Sequence, residues 1–194
     1  MEYTFASATI LLLLITDPFG NIPTFANALK HVAPERRAWV IVREISIAFG
    51  VLLAFMFVGE GFLKLMGLHQ TSLQLAGGVV LFLIALGMIF PPQVAPETTF
   101  HGEPLIVPLA IPAVAGPSAL ATVILLVSQA PDRRLEWIAA LTVTMAVGAI
   151  VLLLADRIQR LLGERFVMAM ERLMGLILVA VAVEMMVRAF QALR

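Results

Sequence analysis

The sequence predicts an all-α, polytopic membrane protein: six transmembrane helices forming two inverted three-helix repeats, with helices one and four broken. Three observations predict this. Of 194 residues, 61% are hydrophobic and 13% charged, about half the charged share of a soluble domain, and the mean hydropathy is +1.00. The charges sit in clusters that separate long apolar runs, and at ~20 residues per span the chain has room for about six spans with short connections. A polar block also recurs about half a chain length after its first appearance.

The composition excludes several function classes. Thirteen basic and 13 acidic residues give a formal net charge of +0, so no basic face exists to neutralise phosphates, and nucleic acid is not an expected partner. The absence of cysteine removes disulfides, thiolate metal sites and a thiol nucleophile. A chain this apolar is not a soluble enzyme.

The elements follow in order. Span one is Tyr3–Leu29, whose only charge is Asp17. The run Met1–Thr16 opens with Glu2, has no Lys or Arg and is followed by Asp17-Pro18 rather than a small-residue cleavage site, so it reads as half of the first span and not as a removable signal. Lys30, Glu35, Arg36 and Arg37 form the first connection, and span two runs from Trp39 to Leu63. A turn, Met66–Thr71, leads to span three, Ser72–Pro91. After the polar connection Pro92–Glu103 comes span four, Pro104–Gln129; the loop Pro131–Arg134 precedes span five, Trp137–Ala155. The most polar loop, Asp156–Arg165, leads to span six, Val167–Phe190. These runs are apolar nearly all round, as lipid-embedded helices should be.

Orientation follows from the basic residues. Eight of them (Lys30, Arg36, Arg37, Arg43, Arg157, Arg160, Arg165 and Arg172) lie in or beside connections one, three and five. Five (Lys64, Arg133, Arg134, Arg188 and Arg194) lie on the other side. The excess places both termini outside the cytoplasm.

Ala33-Pro34-Glu35-Arg36-Arg37 and Ala130-Pro131-Asp132-Arg133-Arg134 stand 97 residues apart, and each is followed by a tryptophan and a β-branched residue. Asp17-Pro18 matches Gly116-Pro117, and Leu75-Ala76-Gly77 matches Leu173-Met174-Gly175, at nearly the same offset. Such self-similarity marks repeats, here residues 1–97 and 98–194. An odd number of spans per repeat inverts the second within the membrane.

Both repeats carry a break at the same place. Asp17-Pro18-Phe19-Gly20-Asn21-Ile22-Pro23 lies mid-way through span one, and Pro112-Ala113-Val114-Ala115-Gly116-Pro117-Ser118 mid-way through span four. Two prolines five residues apart, with a glycine between them, remove donors and clash with preceding carbonyls. Backbone freed in this way persists only where it lines a protein-enclosed or watery cavity, and paired interrupted helices point to a transporter's substrate site. The half-helices expected after Pro18 and Pro117 offer unpaired N–H groups to an anion. Asp17, an acid in mid-span, should face the interior with a partner. A zwitterion suits both, with Asn21, Ser118 and Thr122 as neutral donors and acceptors, and Gly20, Gly116 and Ala119 keep the pocket small. Asp17 also suits a plain helix cap with Pro18 at the first position, and Ser118 and Thr122 also suit plain hydrogen bonds to backbone carbonyls.

The remaining polar residues read as structural. Glu60–Lys64 and Glu184–Arg188 are helix pairs four apart near span ends. Gly77, Gly78 and Gly87 are close-packing positions. Arg43 and Glu44 leave gating and ion pairing both open. His31, His69 and His101 fall in three loops, which supports neither a metal cluster nor a catalytic base, and no phosphate-binding glycine loop is present.

Asp17-Pro18-Phe19-Gly20-Asn21-Ile22-Pro23-Thr24-Phe25 and Gly116-Pro117-Ser118-Ala119-Leu120-Ala121-Thr122 resemble the two signature segments of the MarC family. These are SnatA-like small neutral amino acid transporters of the LysE-like superfamily. Ser118 stands where that family usually has the last glycine of Gly-Pro-Gly. The resemblance implies a multi-pass transporter of the bacterial or archaeal cytoplasmic (inner) membrane for amino acids such as alanine or glycine. Its substrate contacts would be Asp17, Pro18, Gly20, Asn21, Gly116, Pro117, Ser118 and Thr122. No cofactor is expected beyond a coupling ion, H⁺ or Na⁺, and the partners are the small neutral amino acid and the lipid bilayer, with a homo-oligomer left open. The competing expectations are a LysE-like exporter of another small solute or cation, and a non-transporting membrane protein.

Overall fold

The computed structural model describes residues 3–30, 32–90 and 109–192. The connection Pro92–Glu103, the opening of span four, His31 and His101 lie outside the described residues. What is described is helical, without a strand. Span one is two helices, α1 (Phe5–Thr16) and α2 (Ile22–Ala28), and span two is one long helix, α3 (Pro34–Leu65). Span three is α4 (Gln70–Ile89). A wide turn, Leu109–Val114, precedes α5 (Pro117–Gln129); then come α6 (Arg134–Leu153), α7 (Ala155–Leu162) and α8 (Glu164–Ala192).

Among the described residues, four segments are long and apolar enough to cross a membrane: Pro34–Leu65, Gln70–Ile89, Pro131–Leu153 and Arg165–Ala192. The shorter apolar helices are α1 and α5, one on each side of the expected breaks. Large apolar side chains such as Leu83, Leu135 and Leu176 lie at the outer surface, where lipid would cover them.

The polar stretch Asp156–Arg165 is not a plain loop. Most of it is α7, which Gly163 ends at φ 78. Ile158 packs on the core while Arg157 is exposed, so a short two-faced helix satisfies both its polar and its apolar residues.

α1 lies on α6, and α5 lies on α3. α4 packs most extensively against α8. Lipid supplies no hydrophobic drive for this, so small residues that allow close approach must carry the contact. They do so reciprocally: a Cβ at Gly78 would stand 3.1 Å from the Ala182 carbonyl, and one at Gly175 would stand 3.0 Å from the Ala85 carbonyl. Gly77 likewise abuts Ala121. Gly87 faces open space instead, so the packing expected there is not found. α5 also packs closely on α4.

The two Ala-Pro-acid-Arg-Arg blocks start helices as their prolines allow, yet their tryptophans differ. Trp137 is 1% exposed and donates from Nε1 to the Ala130 carbonyl at 3.1 Å, under the Arg133 guanidinium. Trp39 is 54% exposed, with Arg36 and Arg43 over its ring. Arg43 also bonds the fully buried Glu44 at 2.7 Å, so these two residues form an ion pair. The expected pairs Glu60–Lys64 and Glu184–Arg188 are present at 2.9 and 2.6 Å. Tyr3 is tied down twice, its carbonyl accepting from Arg133 and its hydroxyl from Arg188.

Candidate functional site

The first break is closed by side chains. α1 ends at Asp17, whose φ of 38 places it in the left-handed region, a conformation that aspartate tolerates better than most residues. Its Oδ1 accepts the Gly20 N–H at 3.0 Å. Residues 18–21 then form a turn, and Asn21 N–H reaches the Asp17 carbonyl at 3.1 Å. The half-helix expected to start after Pro18 therefore starts at Ile22, because the turn closed by Asp17 and Gly20 comes first. Asp17 is thus the C-cap of α1, not the N-cap of a helix opened by Pro18.

The Asn21 amide joins the two breaks. Its Nδ2 donates to the carbonyls of Thr16 (2.9 Å) and Asp17 (3.1 Å) in its own break, and to that of Ala113 (3.2 Å) in the other. Carbonyls that lost their helical donors are thereby partly satisfied, as a non-aqueous setting demands.

The second break is made of backbone. Ile111 is extended (φ −131, ψ 128) inside the wide turn, and Ala115 N–H bonds the Ala110 carbonyl at 2.8 Å, five residues back. Gly116 is extended at ψ 169, and Pro117 opens α5 with no side chain capping it. The first N–H groups of α5 thus have no side-chain acceptor, a setting that favours an anion. Ser118 is 3% exposed, and its hydroxyl makes no hydrogen bond to a described residue. Thr122 does bond backbone, from Oγ1 to the Ser118 carbonyl at 2.8 Å.

Between the breaks lies a cavity of ≈ 270 Å³. Five of the eight residues expected at the site line it: Asp17, Gly20, Asn21, Gly116 and Ser118. Three do not. Pro18 lies against α6 at Gly148, Pro117 is at the head of α5, and Thr122 faces a different cavity, between α1 and α8. A Cβ on Gly20 would run into the Asp17 carboxylate and the Met88 methyl group, so this glycine is required by space. Asp17 is 5% exposed and has no ion-pair partner among the described residues.

The cavity holds one residue that the sequence reading passed over. Glu171, from α8, lines it with Asp17 and acts on Asp17 electrostatically. Its one sequence signal is an acid beside Arg172 about one turn into the last span, easily read as an end residue reaching for water.

A family model described as "MarC family integral membrane protein" matches residues 3–193. The chain is 46% identical over 181 residues to the UPF0056 inner membrane protein YhgN of Escherichia coli (strain K12), with 92% of each chain covered. It is 45% identical over 183 residues to a UPF0056 membrane protein of Buchnera aphidicola subsp. Baizongia pistaciae, again with 92% of each covered. A UPF0056 membrane protein of Chlamydia trachomatis is 29% identical over 191 residues, covering 97% of this chain and 94% of that one. No solved structure matches the chain significantly.

Proposed function

The chain belongs to the MarC family of integral membrane proteins, and from that premise we propose that it is a secondary transporter of small neutral amino acids, alanine or glycine in kind. In this reading the six spans form two inverted halves, residues 1–97 and 98–194, that rock about a site near the membrane's midplane. Both termini lie outside the cytoplasm, in the inner membrane where relatives are named. Transport needs no cofactor beyond a coupling ion, H⁺ or Na⁺.

The observation that carries the reading is the meeting of the two breaks, linked from Asn21 to Ala113 and enclosing one cavity. Irregular backbone at membrane depth belongs at a solute site. At ≈ 270 Å³, the space lies at the small end of the ~300–1,000 Å³ of ligand sites, which suits a small solute. Asp17 offers a negative group to an ammonium, and the uncapped start of α5 with the Ser118 hydroxyl offers donors to a carboxylate.

The test is counterflow of labelled alanine and glycine in proteoliposomes preloaded with unlabelled amino acid, with Asp17→Asn beside the wild type. The amide keeps an acceptor for Gly20 and removes the charge. Counterflow in the wild type, reduced about a hundredfold in the variant at equal folded yield, is the expected result; losing one charge-assisted contact is worth about that much. No counterflow with any small neutral amino acid sinks the substrate assignment. Export of a cationic solute is the second reading, favoured by Glu171 as a further acid in the cavity; inhibition of alanine counterflow by cations but not by other zwitterions would select it.

A further inference from the structure

A carboxylate held in a membrane helix is costly unless it has a partner. Glu44, Glu60, Glu136 and Glu184 each have one, in salt bridges of 2.6–2.9 Å to Arg43, Lys64, Arg133 and Arg188. Asp17 and Glu171 form no salt bridge with a described residue, and these two face the same cavity. The cation acting on Glu171 is Arg172, its chain neighbour, which is exposed and is not part of the described lining. That lining includes no Lys, Arg or His among the described residues.

The cavity is therefore lined by two acids without a counter-charge among its described lining residues. It also has donors: the hydroxyl of Ser118, a buried residue whose side chain has no described partner, and the uncapped start of α5. A ligand that completes both sides brings a cationic donor to the acids and an anionic acceptor to α5.

We infer that Glu171 is a second ligand-binding carboxylate, which with Asp17 receives the primary ammonium group of the solute, while Ser118 and the start of α5 receive its carboxylate. This rests on the transport reading above and narrows it: the site selects for the ammonium. A small primary ammonium compound that lacks the carboxylate still binds, because two acids hold it. A hydroxy acid of the same size is refused, because its hydroxyl brings no charge to the acids.

The experiment uses the purified full chain in detergent and follows its thermal unfolding with three probes, L-alanine, L-alaninamide and L-lactate, in wild type and Glu171→Gln. Alanine and alaninamide are expected to raise the wild-type Tm, and lactate to leave it unchanged. In Glu171→Gln the alaninamide concentration giving half the shift should rise about tenfold, the lower end of the loss for a charge-assisted contact, because Asp17 still holds the ammonium. Equal alaninamide shifts in the two folded proteins, or none in the wild type, overturn the inference. Glu171→Asp covers failure of the amide variant to fold: with its charge on a shorter arm, at least an about threefold weakening is expected, and no change overturns the inference. Counterflow separates the two layers. Alanine counterflow without dependence on Glu171 leaves transport standing and removes this role. Glu171-dependent stabilisation by alaninamide in a protein without alanine counterflow keeps the ammonium site and removes the transport reading.

Discussion

The two breaks start from the same ingredients, two prolines five residues apart and a glycine between them, yet they close differently. In the first, side chains do the closing: Asp17 takes the Gly20 N–H, and Asn21 covers two local carbonyls and one across the gap. In the second, the backbone widens by one residue and stops, leaving α5 uncapped and Ser118 unbonded among the described residues. One break is thus a finished wall carrying a negative charge, and the other is a wall with donors to spare. The proposed pocket for a zwitterion needs this inequality; two equally closed breaks would leave nothing for a ligand to satisfy.

Several changes test this contrast, the strongest first. Gly20→Val puts carbon where the Asp17 carboxylate and the Met88 methyl now lie. Alanine counterflow should fall as far as in Asp17→Asn, about a hundredfold, while helix content by circular dichroism stays unchanged. Retained counterflow would mean that the carboxylate's position does not matter. Asn21→Leu leaves three carbonyls without their shared donor and unlinks the breaks. It is expected to cost about 1–3 kcal/mol, seen as a lowered midpoint in thermal unfolding; an unchanged midpoint would show the bridge to be idle.

Ser118→Ala removes a hydroxyl with no described partner in the protein, so stability should hold while the alanine concentration for half-maximal counterflow rises about three- to tenfold. Thr122→Val is the mirror case and the smallest effect. Its hydroxyl is used within the helix and its side chain lies off the cavity, so the expected cost is below ~1 kcal/mol of stability, with half-saturation unchanged. If the two variants exchanged behaviour, the assignment of the open wall to Ser118 would fail.

Much of this was legible before any coordinates. Proline and glycine act through local backbone rules, so the positions of both breaks were visible, and charge clusters bounded the long helices to within a few residues. The helix start at Ile22 was not visible, because it depends on a left-handed Asp17 and a turn that competes with helix. The inequality of the breaks was hidden as well: Asn21 reaching Ala113 depends on tertiary approach between residues 92 positions apart. Glu171 was hidden for the same reason. The adjacent Arg172 makes it read as a local charge pair, as Arg188 one helical turn on does for Glu184; only the packing of α8 on α4 brings it to the cavity of Asp17. Thr122 and Ser118 were indistinguishable by type and differ only in where each hydroxyl points.

The unequal burial of the two tryptophans gives the protein a built-in pair of optical reporters. The chain has two tryptophans and one tyrosine, so its intrinsic emission is nearly all theirs. Trp137, 1% exposed and bonded to the Ala130 carbonyl, is shielded from quenchers in either phase and supplies a constant background. Trp39, 54% exposed between two guanidinium groups, sits where aromatic rings mark a membrane–water boundary. Quenching by brominated lipids of graded bromine depth should therefore act on one residue, and the depth of maximal quenching gives the level at which α3 enters the bilayer.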